Sequence, residues 1–573
     1  MTESELSQPS ARSKREGPAL YAAAALLVVV AATLAWRLLG SQPLGIDDAY
    51  ITFVYGRHLA QGLGFVFIPG GEHVEGMTSM AWGLISGAVL SFTEHPELPL
   101  MLLSAVLLTL TIFNAHRVLR AVTGDRSAPQ HRALLFVLTF GWCACQPGIF
   151  AWNVLTLMES SLWTFLVVYA AARLAESVSS ERPQLGVGEH VALAACAAAM
   201  ALTRPESMAA VPLMWGLAAL VVARSCGVRA AVRCYLPSLV VFALSAGILV
   251  TFRLNYFGYP YPNTYYAKST PYRLYSLWRG FLYALKFFGR RPWNAAAVVA
   301  LLVAVWPSLR AAATRKWSGV ERALLVVSGT VLYFLAVPMF TGGDPFGEFR
   351  FYQPIVLLLI APTAYLLVKH LPEDQPLEPF RRGARRVWVP LLGVLAISGV
   401  WYSFDASNEL TGEFQAATYG RRVGTSLTQT LRKSERTLPV LGVIGAGGLA
   451  WGYDGPVLDL LGLNWTRMAH SNADRRGIRT GHGAFSPEVF WTQPPDLLVL
   501  DIQHGGGCDR QTPVSEVQTW VVRTWLRGVT ESPPFAQRYE AGCLGEGQSS
   551  VIGFFSKTWL QARPGLDYHP LVP

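Results

Sequence analysis

Charge is scarce in this chain: 15% of its 573 residues are Asp, Glu, Lys or Arg, against 52% hydrophobic, with a mean hydropathy of +0.32. So little polar surface cannot cover a soluble protein of this length, which leaves a polytopic membrane protein. Internal repeats and low-complexity tracts are missing too, and with them the paired halves common in secondary transporters. Cysteine is sparse, with seven in all. Cys143, Cys145 and Cys196 fall in apolar runs and Cys226 and Cys234 beside one, at no metal-site spacing, so they read as buried thiols. Cys508 and Cys543 lie in the more polar tail, where an oxidising space would let them pair. The net charge of +10 is spread over short loops with no nucleic-acid module, so nucleic acid is not an expected partner.

What the chain has in abundance is long apolar runs. Eleven spans are expected near 18–40, 97–116, 133–151, 160–175, 190–203, 207–223, 236–256, 294–309, 323–340, 352–369 and 387–403, each a helix because lipid offers the backbone no partners. The segment 77–92 is expected to lie in the interface or re-enter. Arg117, Arg120, Arg126 and Arg132, then Arg224, Arg229 and Arg233, then Arg310, Arg315, Lys316 and Arg322, then Arg381, Arg382, Arg385 and Arg386 crowd alternate loops, which makes those loops cytoplasmic. Residues 1–17 then form a cytoplasmic tail, 18–403 the membrane domain with a first external loop at about 41–96, and 404–573 an external domain. One basic loop faces the wrong way: Lys268, Arg273, Arg279, Lys286, Arg290 and Arg291 would all lie outside. Leu274, Leu277, Trp278, Phe281, Leu285 and Phe288 recur there at helical spacing, predicting an interfacial helix with its cations toward lipid headgroups.

The tail reads as an α/β domain, with strands expected in 438–444, 457–463, 496–501 and 549–556. Gly445, Gly447 and Ala450 fit a loose dinucleotide fingerprint, but no acidic residue follows at the ribose distance and a tight turn explains the glycines better.

Polar residues gather on the external side. "GIDDAYITF" places Asp47 and Asp48 just past the first span, followed by Glu72 and Glu75; Glu159, Arg204 with Glu206, Asn263 with Lys268, and Asp344 with Glu348 and Arg350 follow later spans on the same side. Ionisable groups at a membrane edge are costly to keep, so the set is expected to form one site.

Taken in order, "DDAYITFVYGRHLAQGLGFVFIPGGEHVEGMTSMAW", "LMES", "ALTRPES", "YPNTYYAKS", "GGDPFGEFRF" and "VLDLLGLN" with a later "GHG" resemble the membrane glycosyltransferases of the GT-C class. The likeness is greatest to the mycobacterial arabinofuranosyltransferases that add terminal β-(1→2) units and to their bacterial relatives. It runs from about residue 45 to about 500. The chain departs from them where Trp465 follows Asn464 in place of Asp, and where a longer motif is reduced to Gly481, His482 and Gly483. The resemblance implies a GT-C membrane domain with an external C-terminal α/β domain in a bacterial inner membrane. It also implies a polyprenyl-phosphate-sugar donor, arabinofuranose among the candidate sugars, and a glycan, glycolipid or protein acceptor beside membrane lipid.

A lipid phosphate leaves with its charge already stabilised, so the enzyme has to deprotonate the acceptor and hold the phosphate. A carboxylate in a partly apolar pocket suits the first task, and Arg and Lys suit the second. The expected mechanism is a single inverting displacement with Asp47 or Asp48 as base, Asp48 favoured, and Lys268 and Arg350 on the phosphate. Glu75, Glu159, Arg204, Glu206, Asn263, Asp344 and His482 are expected to orient or bind substrate. Paired aspartates would also suit a divalent cation. A transporter or flippase of lipid-linked sugars is the alternative.

Overall fold

A computed structural model describes the chain except for residues 1–12, 125–128, 182, 270–271, 314–316, 371–392, 394–396, 405–408, 434–436, 474–483, 501–507, 510, 518–519, 527, 546–549 and 573. Seven helices among the described residues are long and apolar enough to cross a membrane: Gly17–Leu38, Glu97–Thr123, Ser207–Cys226, Val228–Tyr256, Pro292–Ala312, Gly319–Thr341 and Arg350–His370. This is a multi-pass membrane protein. Leu26, Val30, Leu102, Val106, Leu244 and Ile248 stand exposed along these helices, as lipid-facing side chains must.

The third, fourth and fifth expected spans are not among the seven. The third is a bent pair, Gln130–Ala144 and Pro147–Leu155, turned by 75°. Pro147 at the start of the second piece cannot continue the first helix's hydrogen bonding. The fifth is the 17-residue helix Val187–Thr203, shorter than the seven, and the 77–92 segment is the short apolar helix Met80–Leu90. The fourth, Ser160–Ser179, packs at the bundle centre against Glu97–Thr123 and Gly319–Thr341. Its Ala170, Ala171 and Ala172 are fully buried, small enough for close approach of neighbouring helices. Most of the eleventh span lies outside the described residues.

The basic loop does form a helix, Arg273–Arg290. Leu274, Leu277, Trp278, Phe281 and Leu285 are exposed along one face, while Ser276, Gly280, Tyr283, Ala284 and Phe287 are buried on the other. Its far end departs from the expectation: Phe288 packs on the bundle core, Arg290 pairs with Glu409, and Arg291 pairs with Glu348 at 2.9 Å. That end is pinned into protein and does not spread its cations over headgroups.

After the helix Thr411–Leu431 the chain enters a six-stranded sheet of order β2-β1-β3-β5-β4-β6. The strands are β1 Leu441–Val443, β2 Val457–Asp459, β3 Leu497–Val499, β4 Tyr539–Leu544, β5 Val551–Ser556 and β6 Tyr568–Pro570. The first three are parallel and the rest antiparallel. The four expected strands are present; β4 and β6 were not foreseen. Cys508 and Cys543 form a disulfide. The glycine-rich turn after β1 leads into the short helix Gly447–Gly452, which packs on helix Thr411–Leu431 and on a helix of the first loop, Asp47–Ala60. Ten of the fourteen residues of Asp47–Ala60 are buried between the bundle and the sheet domain.

Candidate active site

The expected single site is two neighbouring assemblies. The first is a cleft at the end of the bundle that carries the sheet domain. Gly342 ends the helix Gly319–Thr341 in the left-handed region with φ 89°, a conformation glycine adopts without steric cost. Gly343 follows with φ 73°, and a Cβ there would lie 2.7 Å from Tyr283. Further along, Glu348 and Phe349 have φ of 58° and 56°, strained values for side-chain-bearing residues. Packing holds them there: Arg291 pairs with the Glu348 carboxylate, Gln353 donates to its carbonyl at 2.7 Å, and Phe349 lies against Tyr283 and Phe287.

The next residue is Arg350. Its Nε and Nη2 donate to Asp344 at 2.7 and 3.1 Å, and its Nη1 lies 3.7 Å from the Asp48 carboxylate. Burial pushes the Asp344 carboxyl above its ordinary range, against the pull of Arg350 and then Lys268. Lys268, half-buried at the end of the helix Asn263–Lys268, makes no hydrogen bond or ion pair with any described residue. Asp48 has only the distant Arg350 and keeps 23% of its side chain open.

Arg204 lies deeper, donating to Glu159 at 2.5 Å and to Glu206 at 2.9 Å. Burial opposes the Arg204 charge, but Glu206 and Glu159 more than offset it and raise its pKa. Burial likewise pushes the Glu206 carboxyl up, and Arg204 more than reverses that. Arg204, Glu206 and Arg350, the charged wall of the site, line a small cavity of about 10 Å³ together with Trp163, Phe334 and Phe351. Asp48, Glu159, Arg204, Glu206, Lys268, Asp344 and Arg350 are thus brought together.

The second assembly is the seam between bundle and sheet domain, and it takes Asp47, Glu75 and Asn263 out of the cleft. Asp47 accepts from the backbone N–H of Gly448 at 2.7 Å and of Gly447 at 3.0 Å. Burial raises its pKa to about 6, against those two hydrogen bonds. Glu75, 1% exposed, is held by Nε and Nη2 of Arg253, both at 2.7 Å. Asn263 donates its amide to the carbonyls of Gly462 and Leu463 at 2.8 and 3.0 Å. Beside it, Asn464 accepts from Tyr55 at 3.0 Å and donates to Asp459 at 3.0 Å, and Tyr55 in turn accepts from the N–H of Gly76. A Cβ on Gly76 would sit 1.8 Å from the Asn464 amide oxygen.

The sequence reading missed Arg253, Asn464 and the Gly447–Gly448 turn as partners. Arg253 carried a signal, a cation inside an apolar span; the glycines carried one that pointed to a turn and not to what the turn would hold. His482 lies outside the described residues. No group of three or more His, Cys, Asp or Glu among the described residues is gathered as metal ligands, and the aspartate pair weighed for a cation is divided between Arg350 and the glycine amides.

No family model matches the chain, and no curated protein matches it in sequence. Solved structures do match in shape. ArnT from Cupriavidus metallidurans in the apo state is 14% identical, with 92% of this chain and 97% of that one covered and a TM-score of 0.50. The archaeal oligosaccharyltransferase AglB from Archaeoglobus fulgidus, solved with an inhibitory peptide and a dolichol-phosphate, is 12% identical, with 93% and 74% covered and a TM-score of 0.50. At such identities the likeness is one of fold, and the fold is the GT-C architecture with a C-terminal α/β domain.

Proposed function

We propose that this chain, a membrane protein of GT-C fold, is an inverting glycosyltransferase that moves a sugar from a polyprenyl-phosphate donor to a cell-envelope glycan, glycolipid or protein acceptor. The observation that carries the reading is the Asp48 carboxylate, 23% open and 3.7 Å from Nη1 of the buried Arg350. A lipid phosphate needs a cation in an apolar surround, and Arg350 lies within 5.5 Å of the rings of Trp152, Phe346 and Phe351. AglB, of like fold, was solved with a dolichol-phosphate.

In this mechanism the donor phosphate takes Nη1 of Arg350 and the unpaired Lys268, replacing the weak contact to Asp48. Asp344 holds the other edge of the Arg350 guanidinium, while Arg204, fixed by Glu159 and Glu206, supports the charged wall. The freed Asp48 carboxylate accepts the acceptor hydroxyl proton as that oxygen attacks the anomeric carbon. The carbon–oxygen bond to phosphate breaks with its electron pair on the phosphate, so polyprenyl phosphate and an inverted glycoside result. The chemistry is placed at the outer face of the inner membrane, a side supported by the Arg-rich loops and the tail disulfide. The resemblance to terminal arabinofuranosyltransferases makes arabinofuranose the first donor sugar to try.

The test is incubation of purified protein with a panel of radiolabelled polyprenyl-phosphate pentoses and hexoses, read as transfer or slow hydrolysis. Cleavage of one donor is expected, reduced by roughly two to four orders of magnitude in Asp48→Asn. Donor passage across proteoliposome membranes without cleavage would favour a flippase instead.

A further inference from the structure

The first turn of the helix Asp47–Ala60 has no side-chain cap, since its N-cap residue is Ile46. Two other segments fix it. On the bundle side, the N–H groups of Gly45 and Ile46 donate to the carbonyls of Leu155 and Thr156 at 3.0 and 3.3 Å. On the other side, the Gly447 and Gly448 amides occupy one oxygen each of the Asp47 carboxylate. The contact is close enough to demand glycine: a Cβ on Gly447 would lie 1.8 Å from the Asp47 carbonyl oxygen, and one on Gly448 would lie 2.3 Å from that of Ala417.

The same helix is held further along its length. Arg57 stacks on Trp451 at 3.6 Å and donates to its carbonyl at 2.9 Å, and Arg421 donates to Tyr50 and Glu97 at 2.7 and 2.9 Å. With both oxygens engaged toward the sheet domain and the residue 9% exposed, Asp47 is badly placed to act as a base. Successive residues on a helix point about 100° apart. Clamping Asp47 toward the sheet domain therefore fixes the direction of Asp48, which is the direction of Arg350.

We propose that the C-terminal domain belongs to the catalytic apparatus: its Gly447–Gly448 turn grips the Asp47 carboxylate and so aims Asp48 into the cleft, which makes Asp47 a positioning residue. The proposal rests on the glycosyl-transfer reading for its kinetic readout and has a second readout independent of it.

Asp47→Asn keeps one acceptor oxygen but turns an NH₂ group toward a backbone N–H, and Gly448→Ala adds a Cβ where there is no room. Both variants, in the full-length protein, are expected to lower turnover of the radiolabelled donor about 10- to 100-fold with donor KM unchanged. Faster hydrogen exchange at the amides of 447–449 should accompany the loss. Should Gly448→Ala fail to fold, Asp47→Asn, which is isosteric, carries the test. Released amides with wild-type turnover would overturn the positioning role while leaving glycosyl transfer intact, and unchanged exchange with unchanged turnover would overturn the grip itself. A wild-type protein inert toward every donor in the panel would overturn the glycosyl-transfer reading and the catalytic role of the domain with it.

Discussion

Asp47 and Asp48 are consecutive, yet one belongs to the seam and the other to the cleft. In the seam, carboxylates are held by fixed donors: Asp47 takes two backbone N–H groups, and Glu75 takes both donors of the Arg253 fork at 2.7 Å. In the cleft Asp344, Glu159 and Glu206 are held likewise by Arg350 and Arg204, but two charges are not. Asp48 has Arg350 no closer than 3.7 Å, and Lys268 has no described partner. The same residue types serve geometry where fixed donors hold them and suit chemistry where none does. Three of the four non-glycine residues with positive φ among the described residues, Leu157, Glu348 and Phe349, precede Glu159 and Arg350 of the cleft, while the fourth, Ser41, follows the first span.

The comparison breaks most directly if a seam pair can be cut without structural cost. Arg253→Ala leaves the Glu75 carboxylate buried and uncompensated, which should destabilise the protein by about 3–5 kcal/mol. A large fall in the thermal midpoint in detergent is expected, with turnover per folded molecule much less affected. Asp48→Asn should do the reverse, leaving the midpoint in place while activity is lost. A seam variant as stable as the wild type would mean that the Arg253–Glu75 pair is not what holds the first loop.

Within the cleft the next largest effect concerns Lys268. Lys268 makes no hydrogen bond or ion pair with a described residue and only attracts Asp344 at longer range, so Lys268→Ala should move the thermal midpoint little and raise donor KM about tenfold, the value of one charge-assisted contact. Unchanged donor KM, measured beside Arg350→Lys as a variant that keeps the charge but not the fork, would place the phosphate elsewhere on the charged wall.

Much of this organisation was legible in the sequence because it is written in polarity. Apolar runs gave the bundle, loop arginines gave an expected sidedness, and the carboxylates and cations beyond the spans gave the members of the cleft. What polarity could not reveal was which of them would be satisfied by backbone. Nothing about Asp47 distinguishes it from Asp48 until the chain returns some 400 residues later with two glycines whose amides fit its carboxylate. Asn263 was likewise indistinguishable from a substrate-binding amide until Gly462 and Leu463 supplied its acceptors. The bend before Pro147 and the strands β4 and β6 were hidden for a related reason, since hydropathy records burial and not the direction in which the chain turns.

The smallest effect expected separates the two aspartates by pH. Asp47 has its pKa raised by burial to about 6, near Asp48 and near Asp459, whose own carboxyl is pushed up to about 6. A carboxyl whose pKa is higher in the folded state than in the unfolded chain binds more protons when folded. Its contribution is therefore fully present below the unfolded value near 4 and is lost as pH rises through 6. Folding should be favoured about tenfold through Asp47 on going from pH 7.5 to pH 5, less than the effect of cutting a buried ion pair. Asp459 and Glu75 titrate in the same direction, so the wild type alone cannot isolate the term; the difference in thermal midpoint between wild type and Asp47→Asn, followed from pH 7.5 to pH 5, can. That difference should move in favour of the wild type as pH falls. A difference flat across the range would mean that the glycine turn binds the ionised and protonated carboxyl equally, and that its hold on the first loop does not depend on the charge of Asp47.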